Sequence, residues 1–244
     1  MAGETVKAEA VCLGVRPWSR TSHVVTWLTT SGRITTVVKG AVRPKSQFLG
    51  QYDVNYTCEI VYYAGGRGDV HALRECTPMV LREGLRGRYR AAVLAEYFRF
   101  LCGRLAPTGA EAADWLRLLE RALDALAGGA DGMVLALVRF ELDVLRLAGL
   151  APDFSGFDPL ADKSSFSIET GAFSTESGAR CIRIGRETAK FLANPIETPE
   201  NAHAPLDAAR VIGVFYQFHV DTVSDVRRSV LRILSNTEQG KTTK

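Results

Sequence analysis

The stretch "HVVTWLTTSGRITTVVKGAVRPKS", His23–Ser46, decides the fold. Two runs rich in Val, Thr and Ile flank Thr30–Gly32, and β-branched runs on either side of a Gly-bearing turn form a hairpin. The second run does not end in another tight turn: it leads through Lys39 into a long connection, residues 41–53, that carries Arg43 and Lys45. Working outward, "AEAVCLGV" before it and "VNYTCEIVYY" and "VHALRECTPM" after it complete five short strands, with "GGRGD", Gly65–Asp69, turning between the last two. Five strands with the one long connection between the third and fourth is the layout of an OB barrel. An SH3-like barrel is the rival, and strand counting does not separate the two.

After Pro78 the pattern changes to helix. "VLREGLRGRYRAAVLAEYFRFLCGRLA" steps its apolar residues by three and four, with Gly84 and Gly87 weakening its start. Thr108 and Glu111 make a capping-box pattern ahead of "AADWLRLLERALDALA", and "MVLALVRFELDVLRLAGL" ends at Gly149. Asp153–Arg186 is mixed, with short β-like pieces at "SFSIE" and "ARCIRI", and a last helix is expected over roughly Leu206–Leu234. The fold class is therefore α+β in two domains: a five-stranded barrel over residues 1–80, a helical domain over 81–236 that contains the mixed segment 151–186, and a disordered tail, 237–244.

Charge is distributed unevenly along the 244 residues. Residues 1–82 carry 10 Lys and Arg against 6 Asp and Glu, whereas the remainder is balanced, so the net charge of +3 has its origin in the barrel. No acidic residue lies between Glu9 and Asp53, a window that holds Arg16, Arg20, Arg33, Lys39, Arg43 and Lys45. A charged loop is ordinarily just solvated, but a long one-signed window on a fold that commonly binds single strands points to a polyanion. Trp18, beside Pro17 and two arginines, is placed for stacking or a cation–π contact; Trp27, on the same strand face as Val25 and His23, suits core packing as well as stacking. Tyr52, Tyr56, Tyr62 and Tyr63 are further stacking candidates.

Enzyme signatures are missing. His23, His71, His203 and His219 have no carboxylate or Cys at ligand spacing, and H-E-x-x-H, G-x-S-x-G and Walker patterns do not occur, so no catalytic residue, metal or cofactor is expected. The five cysteines, Cys12, Cys58, Cys76, Cys102 and Cys181, include no C-x-x-C pair and read as reduced thiols of a cytoplasmic protein. The N-terminus has no apolar signal core and no run of about 18 apolar residues occurs. Neither export nor a membrane span is expected, and the sequon at Asn55–Thr57 is incidental.

The window Arg16–Tyr63 resembles the N-terminal domain of the RecO family of bacterial recombination mediators, through Gly32, Arg33, Ile34, Val38, Lys39, Gly40, Ala41, Arg43, Lys45, Ser46 and Gly50. The likeness continues through "RECTPMVLREGLR" and again at Arg139, Phe140, Glu141, Leu142, Leu145 and Leu147. The resemblance implies an OB domain followed by a helical domain, and binding of single- and double-stranded DNA. It further implies annealing of strands coated by single-stranded DNA-binding protein, and pairing with RecR to help load RecA. Arg20, His23, Arg33, Lys39, Arg43 and Lys45 would then make DNA phosphate contacts. Arg139 would rim a groove for the acidic, aromatic-ended C-terminal tail of single-stranded DNA-binding protein, unless it pairs with Asp143 one turn on.

Many relatives carry two C-x-x-C pairs that bind zinc after the "RFEL" helix. Here Phe157, Leu160 and Ile184 stand at three of the four positions and Cys181 at the other, so a degenerate zinc-finger-like insertion packed by apolar side chains is expected. The competing readings are a protein-interaction scaffold, or an RNA-binding OB protein, whose basic loop docks an acidic partner.

Overall fold

The structure, a computed structural model, describes residues 4–65, 70–129, 132–175, 178 and 180–235. Arg67–Asp69 of the expected turn and the tail 237–244 lie outside the described residues. Strands β1 (Glu4–Ser19), β2 (Ser22–Thr29), β3 (Gly32–Val38), β4 (Thr57–Ala64) and β5 (Val70–Val80) close into a barrel in the order β1-β2-β3-β5-β4. The long β1 reaches around it, pairing Glu4–Val11 with β4 and Ala10–Ser19 with β2. Closure comes from a parallel pair, Thr35–Val37 of β3 against Val70–Ala72 of β5. A barrel of consecutive hairpins would set β4 beside β3, so this crossed order is that of the OB fold and the SH3-like alternative falls.

Inward-pointing residues alternate along β2, β3 and β4, as Val25 and Trp27, Thr36 and Val38, and Cys58 and Ile60, while on β5 a register shift between Leu73 and Glu75 lets Leu73 and Cys76, three residues apart, both point inward. Trp27 is fully buried and its indole N–H donates to the Thr36 hydroxyl at 2.9 Å, so it belongs to the core. Burial raises the pKa of the Cys12 thiol, and a hydrogen bond with Cys58 followed by burial raises that of Cys76, as expected of inert structural thiols.

The connection from β3 to β4 holds no helix. It is a chain of tight turns, with the amides of Arg43, Ser46, Leu49 and Gln51 donating to the carbonyls of Gly40, Arg43, Ser46 and Phe48 at 2.9–3.2 Å. Ala41 and Phe48 drop from it into the barrel core and anchor it at both ends.

Arg82 links the barrel to the helices that follow. Its side chain is almost fully buried and donates to Asp124 Oδ1 at 2.7 Å, the Asn55 carbonyl at 2.7 Å and the Thr57 hydroxyl at 2.9 Å. Helices α1 (Tyr89–Leu105) and α2 (Ala112–Ala127) pack on the barrel, so the compact units divide at Gly129/Ala130, whereas strand texture gives way to helix near residue 80. The glycines do delay α1, which begins only at Tyr89 after a single turn of tighter helix at Glu83–Leu85. The expected capping box is not formed. The chain turns through Gly109–Ala112 instead, and α2 starts without a side-chain cap.

In the second unit, α3 (Met133–Leu147) precedes a small antiparallel sheet, β7-β6-β8, made of β6 (Lys163–Ser167), β7 (Ala172–Phe173) and β8 (Cys181–Gly185). Helix α4 (Arg186–Ala193), which the sequence reading did not include, leads to α5 (Ala204–His219) and α6 (Ser224–Ser235). The single last helix expected is thus two, because Val220 leaves the helical region at φ −140° and buries its side chain. The insertion's core is aromatic: Phe154 stacks on Phe166 with ring centroids 4.8 Å apart, Phe173 meets Phe166 edge-on, and Phe157 meets Phe173. Ile184 is buried there, but Leu160 is 88% exposed, held out by a polar turn in which its amide donates to Asp158. Leu160 therefore does not take part in the packing expected of it. Among the described residues no group of three or more His, Cys, Asp or Glu could hold a metal ion.

The "RFEL" glutamate has a structural partner. Both oxygens of Glu141 accept from the Arg227 guanidinium at 2.7 Å, and Arg227 also reaches the Ala209 carbonyl. The residue is threaded past Gly213, where a Cβ would lie 2.4 Å from its Nη1. Both charges are buried, and a buried ion left alone is costly. Replacing Arg227 by Met should lower the unfolding free energy by about 3–5 kcal/mol in denaturant titration. Phe48→Ala should cost about 3 kcal/mol and speed tryptic cleavage after Lys45, as its loop loses an anchor.

Candidate nucleic-acid interface

One end of the barrel is built from two loops bonded to each other. The β1–β2 turn, Arg20–Thr21, offers the Thr21 carbonyl to the Val42 amide at 3.3 Å, and Ser22 Oγ accepts from the Gly40 amide at 3.3 Å. Register brings His23 opposite Val38, one residue before Lys39. Arg20, His23, Lys39, Arg43 and Lys45 therefore share this end, and Arg16 of β1, paired with Val24 of β2, joins them. Gly40 takes a left-handed φ of +68°, and the Arg43 stem lies over it, 3.2 Å from where a Cβ would stand. A side chain at residue 40 would be strained and would push the Arg43 stem away.

The cations at this end are exposed, and none forms an ion pair with a described carboxylate. His23 differs in being half-buried, with Nδ1 2.9 Å from the Tyr52 hydroxyl and its ring edge-on to Tyr52. It braces the loop from within the barrel mouth. Exposed Val42 and Leu49 lie on the same loop.

Arg33 is not gathered with the others. It lies six residues before Lys39, about 20 Å away along β3 at 3.3 Å per residue, and its Nη1 donates to the Gly103 carbonyl at 2.5 Å. Arg139, in the second unit, gives Nε to the Pro195 carbonyl at 2.6 Å and Nη2 to the Ile196 and Glu197 carbonyls at 2.8 and 3.3 Å. The pair with Asp143 is not formed, because Asp143 binds Arg146 at 2.7 Å. Arg16 and Trp18, singled out in the sequence for the cationic window and for stacking, are both exposed near the end of β1 beside this set.

Such an end can hold a polyanion through phosphate contacts that ignore base sequence, since its cations lie on exposed loops. Beyond it, no described helix is long and apolar enough to cross a membrane.

Comparison with known proteins finds two consecutive matches, which together reach residue 156. Residues 1–81 match the family described as "Recombination protein O N terminal", and residues 86–156 match "Recombination protein O C terminal". The chain is similar to the DNA repair protein RecO of Enterobacter sp. (strain 638), 34% identical over 146 residues that make 59% of this chain and 60% of that one. It is also similar to the DNA repair protein RecO of Klebsiella pneumoniae (strain 342), 33% identical over 146 residues, 59% of this chain and 58% of that one. The match thus spans about three fifths of the length of these relatives. With an OB-ordered barrel and both family regions in sequence, the chain belongs to the RecO family.

Proposed function

We propose that this protein is a non-enzymatic, cytoplasmic mediator of recombinational DNA repair that grips single- and double-stranded DNA by its phosphates at the cationic barrel end. The carrying observation is the bonding of the Arg20 turn to the Lys39–Lys45 loop, which concentrates cations with no described carboxylate beside them. Attraction of this kind is indifferent to sequence, as a repair factor meeting arbitrary DNA requires. Screening two polyanions on one basic surface lets complementary strands approach and anneal. Arg20, Lys39, Arg43 and Lys45 are the proposed phosphate contacts, with His23 positioning the loop and Arg33 contributing from the other end of β3.

The partners proposed by family likeness are RecR, single-stranded DNA-binding protein and, indirectly, RecA. Capture of the acidic tail of single-stranded DNA-binding protein at Arg139 would require that guanidinium to exchange its loop carbonyls for the tail. Nearby, a small pocket lined by Glu187, Glu197 and Glu200 against the single cation Lys190 disfavours an acidic ligand. A groove of about 390 Å3 lined by Ile168, Ile182, Val214 and Phe218 also has Arg180 in its wall, 3.1 Å from Glu169, and offers that tail an apolar wall with a cation that would exchange Glu169 for the tail.

Reversing Arg43 and Lys45 together to Glu should abolish binding of a labelled single strand at roughly 50 mM salt while the thermal unfolding curve stays in place. Unchanged affinity in a folded double variant would remove the proposal.

A further inference from the structure

We infer that Trp18 is a stacking platform for one unpaired nucleobase, and that it gives the cationic end a preference for single strands over duplex. The inference rests on the reading that this end binds DNA and adds to it a contact with bases, which phosphates alone do not supply.

Of the three tryptophans, Trp27 and Trp115 are buried at 0% and 1% exposure, while Trp18 is 68% exposed. Its place in the ladder explains why. Pro17 pairs with His23 and Ser19 with Ser22, so Trp18 is the extra residue of a β-bulge, a device that frees a side chain from the regular alternation and re-aims it. Pro17, with its φ fixed, stiffens the approach. Among the described residues no aromatic ring packs on Trp18 and no guanidinium lies over it, so none of them occupies its π faces.

The surroundings select the ligand. Exposed Arg16 and Arg20 flank Trp18 in sequence, and the turn that follows it is bonded to the loop of Lys39, Arg43 and Lys45. A ligand that satisfies both an open indole and a line of unpaired cations is flat, aromatic and polyanionic, which describes consecutive nucleotides. In a single strand the base faces are open to stacking on an aromatic side chain whatever their sequence. In duplex DNA they are already stacked on one another, and reaching one requires unstacking a step. The same cations therefore serve both forms of DNA, while Trp18 favours only the unpaired one and loses its base when complementary strands pair.

Because Trp27 and Trp115 are sheltered, a change in emission on binding reports Trp18. The full chain is titrated at low salt with an oligothymidylate, an abasic strand of the same length and a duplex. The expected result is quenching by oligothymidylate alone and weaker binding of the abasic strand. Trp18→Ala should weaken oligothymidylate binding about tenfold and leave abasic affinity unchanged, and Trp18→Phe should restore most of the loss. Equal affinities for the two strands without quenching, or an equal loss for both in Trp18→Ala, would overturn the inference while leaving the phosphate reading intact. Failure of the wild-type chain to bind any of the three would overturn both.

Discussion

Closure of the barrel by the parallel pairing of β3 with β5 is the constraint on which the rest depends. Parallel neighbours cannot be joined by a tight turn, and inserting β5 between β3 and β4 obliges the chain to leave β3, cross the barrel end and return on the far side. That crossing is residues 39–56. Its position at the barrel mouth is a consequence of topology, and Lys39, Arg43 and Lys45 are displayed there because the route has no alternative. Ala41 and Phe48 fix the crossing by burying in the core beneath, and Gln51 accepts from the Cys58 and Cys76 thiols.

The residues that carry the family likeness divide between fold and charge. In "VKGA", Val38 and Ala41 are core, Gly40 supplies a backbone shape, and Lys39 alone faces outward. In "RFEL", Phe140 is core and Glu141 is half of a buried ion pair spanning α3 and α6. The shared family motif is therefore largely a record of what keeps the cations in place. Replacement of an ion pair like this by matched apolar side chains is often tolerated, whereas loss of one partner is not.

Much of this was legible in the sequence because it depends on local chemistry. β-Branched runs, a Gly-bearing hairpin and one overlong connection were enough for five strands and their loop, and a one-signed window was enough to suspect a polyanion. What escaped depends on contacts between residues far apart in the chain. Nothing local in Arg33 announces that the Gly103 carbonyl, 70 residues on, receives it. Arg139 likewise finds loop carbonyls 56 to 58 residues away rather than the carboxylate one helical turn on. The break at Val220 interrupts an apolar period that would otherwise run on, and the sequence around Leu160 gave no sign that a turn would hold it in solvent. The OB order itself, against its rival, required the strand neighbours to be seen.

The central claim is that the barrel end holds nucleic acid by Coulomb attraction to phosphates, and the most direct test is the salt dependence of single-strand affinity. With Arg20, Lys39, Arg43 and Lys45 each neutralising one phosphate, log K should fall against log salt with a slope of about −2.8, at about −0.7 per contact. A slope near zero, with binding intact, would contradict the account.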